Sequence, residues 1–156
     1  MNTTRRKFLQ TSAMTGAVVA SIGAGILAPR SAMAAWPKAA FDAADVNAAL
    51  TASIGSTEMT ESNDIEIKAP DIAENGAVVP VSITSKIAGT ESISILLPGN
   101  NTPLAASFAL SSRTEGFVST RVKMGKTSHV IAVIKANGKL YTAKKEVKVT
   151  IGGCGG

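Results

Sequence analysis

The feature that most restricts this chain is a period-two alternation of apolar and polar residues, which begins near Asn63 and runs almost to the C-terminus. Ile65 and Ile67 alternate with Glu66 and Lys68, Val79, Val81 and Ile83 with Pro80, Ser82 and Thr84, and Ile93, Ile95 and Leu97 follow. Successive side chains of a strand point to opposite faces, so these runs predict strands with one buried face. Pro80 has no N–H to give a ladder and is expected on an edge or at a bulge. Segments 104–110, 117–124 and 130–135 continue the series between breaks such as Pro98-Gly99-Asn100-Asn101 and Thr114-Glu115-Gly116. Asn137-Gly138 tolerates the two positive φ values of a type I′ turn and predicts a hairpin, from which 140–145 returns. Val147, Val149 and Ile151 then alternate with Lys148 and Thr150. About seven short strands at roughly ten-residue spacing predict an all-β chain, an immunoglobulin-like antiparallel β-sandwich.

The first third of the chain obeys other rules. Thr4-Arg5-Arg6-Lys7-Phe8-Leu9-Gln10 precedes an uncharged Ala/Gly-rich stretch, and Ser31-Ala32-Met33-Ala34 ends it. A basic segment, a modest apolar segment and an A-x-A site predict a signal peptide over 1–34, cleaved after Ala34. The apolar run of about 14 residues over 14–27 falls short of the ~20 needed to span a bilayer, so no membrane anchor is expected after processing. The paired arginines before Phe-Leu resemble a twin-arginine signal, which implies periplasmic delivery of folded cargo. Within 36–54, Ala43, Val46, Ala49 and Leu50 fall on one helical face and Gly55 is a stop, which predicts one short N-terminal helix. The expected organisation is therefore a leader over 1–34, helix and linker over 35–62, a β-sandwich over 63–151, and a terminal arm over 152–156.

Charge location removes several function classes. The chain holds 16 Lys+Arg and 11 Asp+Glu, but Arg5, Arg6, Lys7 and Arg30 belong to the leader, which has no acid; 12 basic against 11 acidic residues remain, a net of +1. That balance gives no reason to expect a nucleic-acid partner. One His and one Cys cannot build a protein-only zinc site of three or four His/Cys ligands, or an intramolecular disulfide, so neither metal nor cofactor is expected. His129 lies in the strand-like run Ser128-His129-Val130-Ile131 without an orienting partner in sequence, and reads as a strand histidine. Lys144, Lys145 and Lys148 read as solvated strand residues or as edge gatekeepers.

Cys154 is the one reactive group that stands out. It sits in Gly152-Gly153-Cys154-Gly155-Gly156, directly after the last strand. Four glycines bring no side chain to pack, so the expectation is a flexible arm that can carry the thiol roughly 10 Å clear of Ile151. An exposed thiol in an oxidising compartment cross-links and oxidises, and is a liability unless it is used. With a pKa near about 8.5 only a small fraction is thiolate at neutral pH, so Cys154 suits covalent attachment better than catalysis. Glycines on both sides leave the arm slender enough to enter a narrow tunnel in another protein.

The ending Val147-Lys148-Val149-Thr150-Ile151-Gly152-Gly153-Cys154-Gly155-Gly156, with the twin-arginine leader, the Ala-rich helix and the β domain, resembles the SoxY family of the bacterial Sox thiosulfate-oxidising system. The resemblance covers the whole chain and its hallmark is the terminal GGCGG. It implies a non-catalytic carrier whose Cys154 covalently holds thiosulfate-derived intermediates, an S-thiosulfonate and then a persulfide. It also implies a heterodimer with SoxZ. Visiting partners would be a thiosulfate-joining c-type cytochrome, a sulfate-releasing hydrolase and a sulfur dehydrogenase. Other readings differ in chemistry. A cytosolic Gly-Gly carrier activates its terminal carboxylate with ATP, which the leader opposes. A periplasmic thiol-disulfide protein usually has a second, resolving Cys, absent here. A single-thiol redox, adaptor or adhesion sandwich needs no sulfur cargo at all.

Overall fold

The computed structural model describes residues 37–150. The leader over 1–34 and the arm over 152–156 lie outside the described residues. Among the described residues, nine strands follow two helices: α1 (Lys38–Phe41), α2 (Val46–Ile54), β1 (Thr60–Glu61), β2 (Ile65–Lys68), β3 (Ile72–Ala73), β4 (Val79–Ser85), β5 (Thr90–Leu96), β6 (Leu104–Ala109), β7 (Phe117–Val122), β8 (Ser128–Ala136) and β9 (Lys139–Val149).

Two sheets form the all-β sandwich that the alternation predicts. One has the order β2-β4-β7 and the other β1-β9-β8-β5-β6, with β3 also pairing to β9. The chain crosses between sheets from β4 to β5, from β6 to β7 and from β7 to β8, the interleaving seen in immunoglobulin-like sandwiches. Between the sheets Ile65, Val79, Val81, Ile83, Ile93 and Ile95 meet Val118, Val130, Ile134 and Val147 in one buried cluster. Each such side chain contributes about 1.5–3 kcal/mol by leaving water, which makes this cluster the main source of cohesion. The Asn137-Gly138 turn has φ of 51° and 71°, as a type I′ hairpin requires, and joins β8 to β9 in an unbroken register from Ala136↔Lys139 to Ser128↔Val147.

Several expectations are corrected. The N-terminal segment is two helices, because Asp45 turns extended (φ −136°) and its carboxylate accepts the Ala48 N–H at 2.8 Å, capping α2 and breaking the continuity with α1. The predicted face is nonetheless the one used: Ala49 and Leu50 are buried, with Ala43 and Val46 packed beside them, and Gly55 ends α2 in the left-handed conformation. Burial on one face also fails for two strands. Leu96 of β5 and Val133 of β8 point away from the inter-sheet core and are buried beneath the helices with Ala40 and Leu50. Unbroken apolar runs, Ile95-Leu96-Leu97 and Val130-Ile131-Ala132-Val133-Ile134, are the sequence form of a strand covered on both sides. The last two predicted strands are one, β9, and its outer edge carries two short parallel partners, β1 and β3, in a sheet otherwise antiparallel.

Pro80 lies on the central strand of its sheet, and the pairing explains how it is tolerated. The β2–β4 ladder ends at Lys68↔Ser82, so at Pro80 the strand has a neighbour only on the β7 side. Continuing the register would set Pro70 opposite Pro80, where neither could donate.

Candidate functional site

The residues singled out for chemistry, Cys154 with Gly152, Gly153, Gly155 and Gly156, lie outside the described residues. What is described is the platform they leave from. Strand β9 is held on both edges up to its end. On one side Val147 pairs with Ser128 of β8, and the Val149 N–H donates to Thr127 Oγ1 at 3.0 Å. On the other, Lys148 and Val149 pair with Ile72 and Ala73 of β3, the Lys148 N–H reaches the Asp71 carbonyl at 3.0 Å, and the Thr150 N–H reaches the Ala73 carbonyl at 3.1 Å.

The loop between β3 and β4 closes tightly on the same end. Met124 N–H donates to the Gly76 carbonyl at 2.7 Å. A Cβ on Gly76 would fall 2.4 Å from the Met124 carbonyl oxygen and 2.8 Å from Val149 Cγ1, so only glycine fits. The sequence predicted that the thiol follows a strand; the fold adds that this strand end is fixed by three separate segments.

The lysines of β9, expected as solvated residues or edge guards, include two that have partners. Lys144 pairs with Glu61 at 3.0 Å, while Lys145 reaches the Ala69 carbonyl at 2.7 Å and Asp71 at 3.0 Å. They tie the segments before and after β2 across the β9 edge, and the charge there also discourages pairing with another chain. His129 is exposed on β8 opposite Glu146. Among the described residues no group of three or more His, Cys, Asp or Glu side chains is placed to hold a metal ion, and no helix is long and apolar enough to cross a membrane.

One feature is formed only by the fold. Beside the β9 end is an open cleft of about 440 Å³, lined by residues 99–102 of the β5–β6 loop and by Lys123, Gly125 and Lys126 of the β7–β8 loop. Asn100 locks the two loops together: its Nδ2 donates to the Lys123 carbonyl at 2.7 Å, and its Oδ1 accepts the Gly125 N–H at 2.9 Å. The Gly99 N–H adds a bond to Ser128 Oγ at 2.9 Å. The Pro-Gly-Asn-Asn and Lys-Met-Gly-Lys turns are each visible in the sequence, but they are more than twenty residues apart and only the fold brings them together.

Family comparison decides the class. The model of the sulfur oxidation protein SoxY matches residues 50–154, two-thirds of the chain, and ends on Cys154. The chain belongs to the SoxY family. Among solved structures it is similar to the sulfur carrier protein SoxY from Chlorobium limicola f thiosulfatophilum, with 50% identity and a TM-score of 0.61 over 66% of this chain and 94% of that one. A superoxide reductase (neelaredoxin) from Ignicoccus hospitalis reaches 20% identity and a TM-score of 0.49 over 56% of this chain and 81% of that one, a likeness too slight to bear on function. No curated protein matches. Membership of the SoxY family places the chain in sulfur oxidation and agrees with the resemblance carried by the GGCGG ending.

Proposed function

We propose that this protein is a non-catalytic sulfur carrier whose Cys154 holds thiosulfate-derived intermediates while partner enzymes act on them. The observation that carries the reading is the SoxY match running through Cys154, the sole cysteine of the chain. In the loading step the thiol sulfur bonds the outer sulfur of thiosulfate. One proton and two electrons leave, the electrons passing to a c-type cytochrome, and the product is the cysteine S-thiosulfonate. Hydrolysis then adds water to the terminal sulfone, releases sulfate and a proton, and leaves a persulfide for a sulfur dehydrogenase and further hydrolysis.

The arm supplies reach and slenderness, and the anchored β9 end supplies a fixed pivot. The compartment is the periplasm, reached by the twin-arginine route, and the standing partner is SoxZ in a heterodimer. Folded export fits such a pair, because a partner without its own leader can travel with this chain.

Intact-mass analysis tests the reading. Incubation with thiosulfate and partner extract is expected to add mass on the C-terminal peptide, removable by dithiothreitol and absent in Cys154→Ser. Sulfur species held noncovalently, or on another residue, would sink it and leave a single-thiol redox or adaptor protein instead. Fractionation of the native cells is expected to place the shortened chain in the periplasm.

A further inference from the structure

We propose that Asn75-Gly76 is a site of spontaneous deamidation, and that its isoaspartyl product loosens the loop clamped on the end of β9. The chain has two Asn-Gly pairs, this one and Asn137-Gly138. Glycine after asparagine leaves the main-chain nitrogen open to attack the side-chain amide, because no Cβ stands in the way. In that reaction the Gly76 nitrogen bonds Asn75 Cγ, the Cγ–Nδ2 bond breaks, and ammonia leaves with the proton that the Gly76 nitrogen gave up. Water then opens the cyclic imide. Addition at the Cγ carbonyl gives aspartate, and addition at the Asn75 main-chain carbonyl gives isoaspartate. No oxidant or cofactor enters.

Both asparagines are exposed, so access to water does not separate them. Their side chains are held differently. Asn137 Nδ2, the leaving group there, donates to the Ala88 carbonyl at 2.9 Å, and Asn137 Oδ1 lies so close to Gly89 that a Cβ on that glycine would stand 2.6 Å from it. The ladder that starts at Ala136↔Lys139 also fixes the backbone of that turn. Asn75 instead folds its side chain forward. Its Oδ1 accepts the Ala77 N–H at 2.9 Å in an Asx turn, whose ring contains both Asn75 Cγ and the Gly76 nitrogen. That bond draws electrons from Cγ, while Asn75 Nδ2 and the Gly76 N–H donate to nothing among the described residues. The electrophile is activated, and the nucleophile and the leaving group are both unencumbered.

The consequence runs through Gly76, whose carbonyl accepts the Met124 N–H at 2.7 Å. Aspartate keeps the Asx turn, having the same oxygen in the same place. Isoaspartate routes the main chain through Cβ and so adds a methylene directly before Gly76. The Asx turn is then lost, and the Gly76–Met124 bond and the close approach to Val149 are displaced with it.

Ageing of the full chain, kept reduced in warm, mildly alkaline heavy-oxygen water, tests this by peptide mass mapping. Conversion at Asn75, with one heavy oxygen taken up per event, is expected to run about fivefold faster than at Asn137, the rate equivalent of one net hydrogen bond. In denaturant the two rates should become alike, since only the fold distinguishes the pairs. A protein isoaspartyl methyltransferase should label the peptide that holds residue 75. Amide hydrogen exchange at Met124 and Val149 is expected to quicken in the isoaspartyl form and to stay unchanged in Asn75→Asp, which has the charge without the extra methylene. Equal rates in the folded chain, or faster conversion at Asn137, would overturn the assignment. So would a preference for Asn75 that persists in denaturant, because its cause would then lie in the neighbouring sequence. Exchange at Met124 that is the same in isoaspartyl and fresh protein would overturn the link to the clamp.

Discussion

Gly76 shows how one residue can govern the pivot. Its missing Cβ lets the β3–β4 loop lie against the Met124 carbonyl and Val149 at once. Gly76→Ala must push backbone away from backbone, and overpacking of this kind costs about 1–3 kcal/mol. A lowered thermal midpoint is expected, with faster amide hydrogen exchange at Val149 and Thr150; an unchanged melt would show that the loop yields freely. Gly153→Val presents the opposite case. It adds bulk beside the thiol without touching the described core, so the midpoint should stay where it is while turnover by tunnel-bearing partner enzymes slows. Equal turnover would refute the slenderness argument. The sequence makes both glycines visible, but Gly153 is legible by its place in GGCGG and Gly76 only by what surrounds it in space.

The helices and the sheet edges show how elements depend on their surroundings. Asp45 caps α2 with one hydrogen bond in water, whereas Leu50 is fully buried between α2 and the outer face of β5 and β8. Asp45→Ala is expected to cost about 1 kcal/mol, and Leu50→Ala about 2–5 kcal/mol. Denaturant melts followed by circular dichroism check the ranking; equal losses would mean that the helical layer adds little to the sandwich. Strands β1 and β3 have two residues each and no internal pattern to announce them. They exist because β9 offers an outer edge and because Lys144 and Lys145 draw Glu61, Ala69 and Asp71 against it. Asp45 could have been read as a cap, since an aspartate three residues before an alanine amide is a common helix start; the β9 partners could not.

For the whole molecule, the central expectation is partnership. Only five aromatic residues follow the leader, and the SoxY reading calls for a second sandwich subunit. Coexpression with SoxZ is expected to give a noncovalent heterodimer burying about 1,200–2,000 Å² in total, with Cys154 left accessible to alkylation. Native mass spectrometry should find the same heterodimer in Cys154→Ser; its loss there would mean that a disulfide, and not packing, holds the pair. A chain that stays monomeric, equally stable and indifferent to SoxZ would contradict the partnership.

The sequence by itself determined where the main strands run, the Asn137-Gly138 hairpin, the helical face around Leu50 and the one thiol proposed to carry the chemistry. Each of these is written in local order, as a period of two, a turn pair, a period near 3.6 or a lone thiol among glycines. Tertiary structure alone decided that the second faces of β5 and β8 are covered by the helices, that Pro80 sits where its sheet has lost one neighbour, and that Lys123 and Gly125 meet Asn100 beside the end of β9. Alternation records that a side chain leaves water without recording against what, because apolar burial has no direction. Partners more than twenty residues apart are chosen only when the sheets close and their edges find hydrogen bonds.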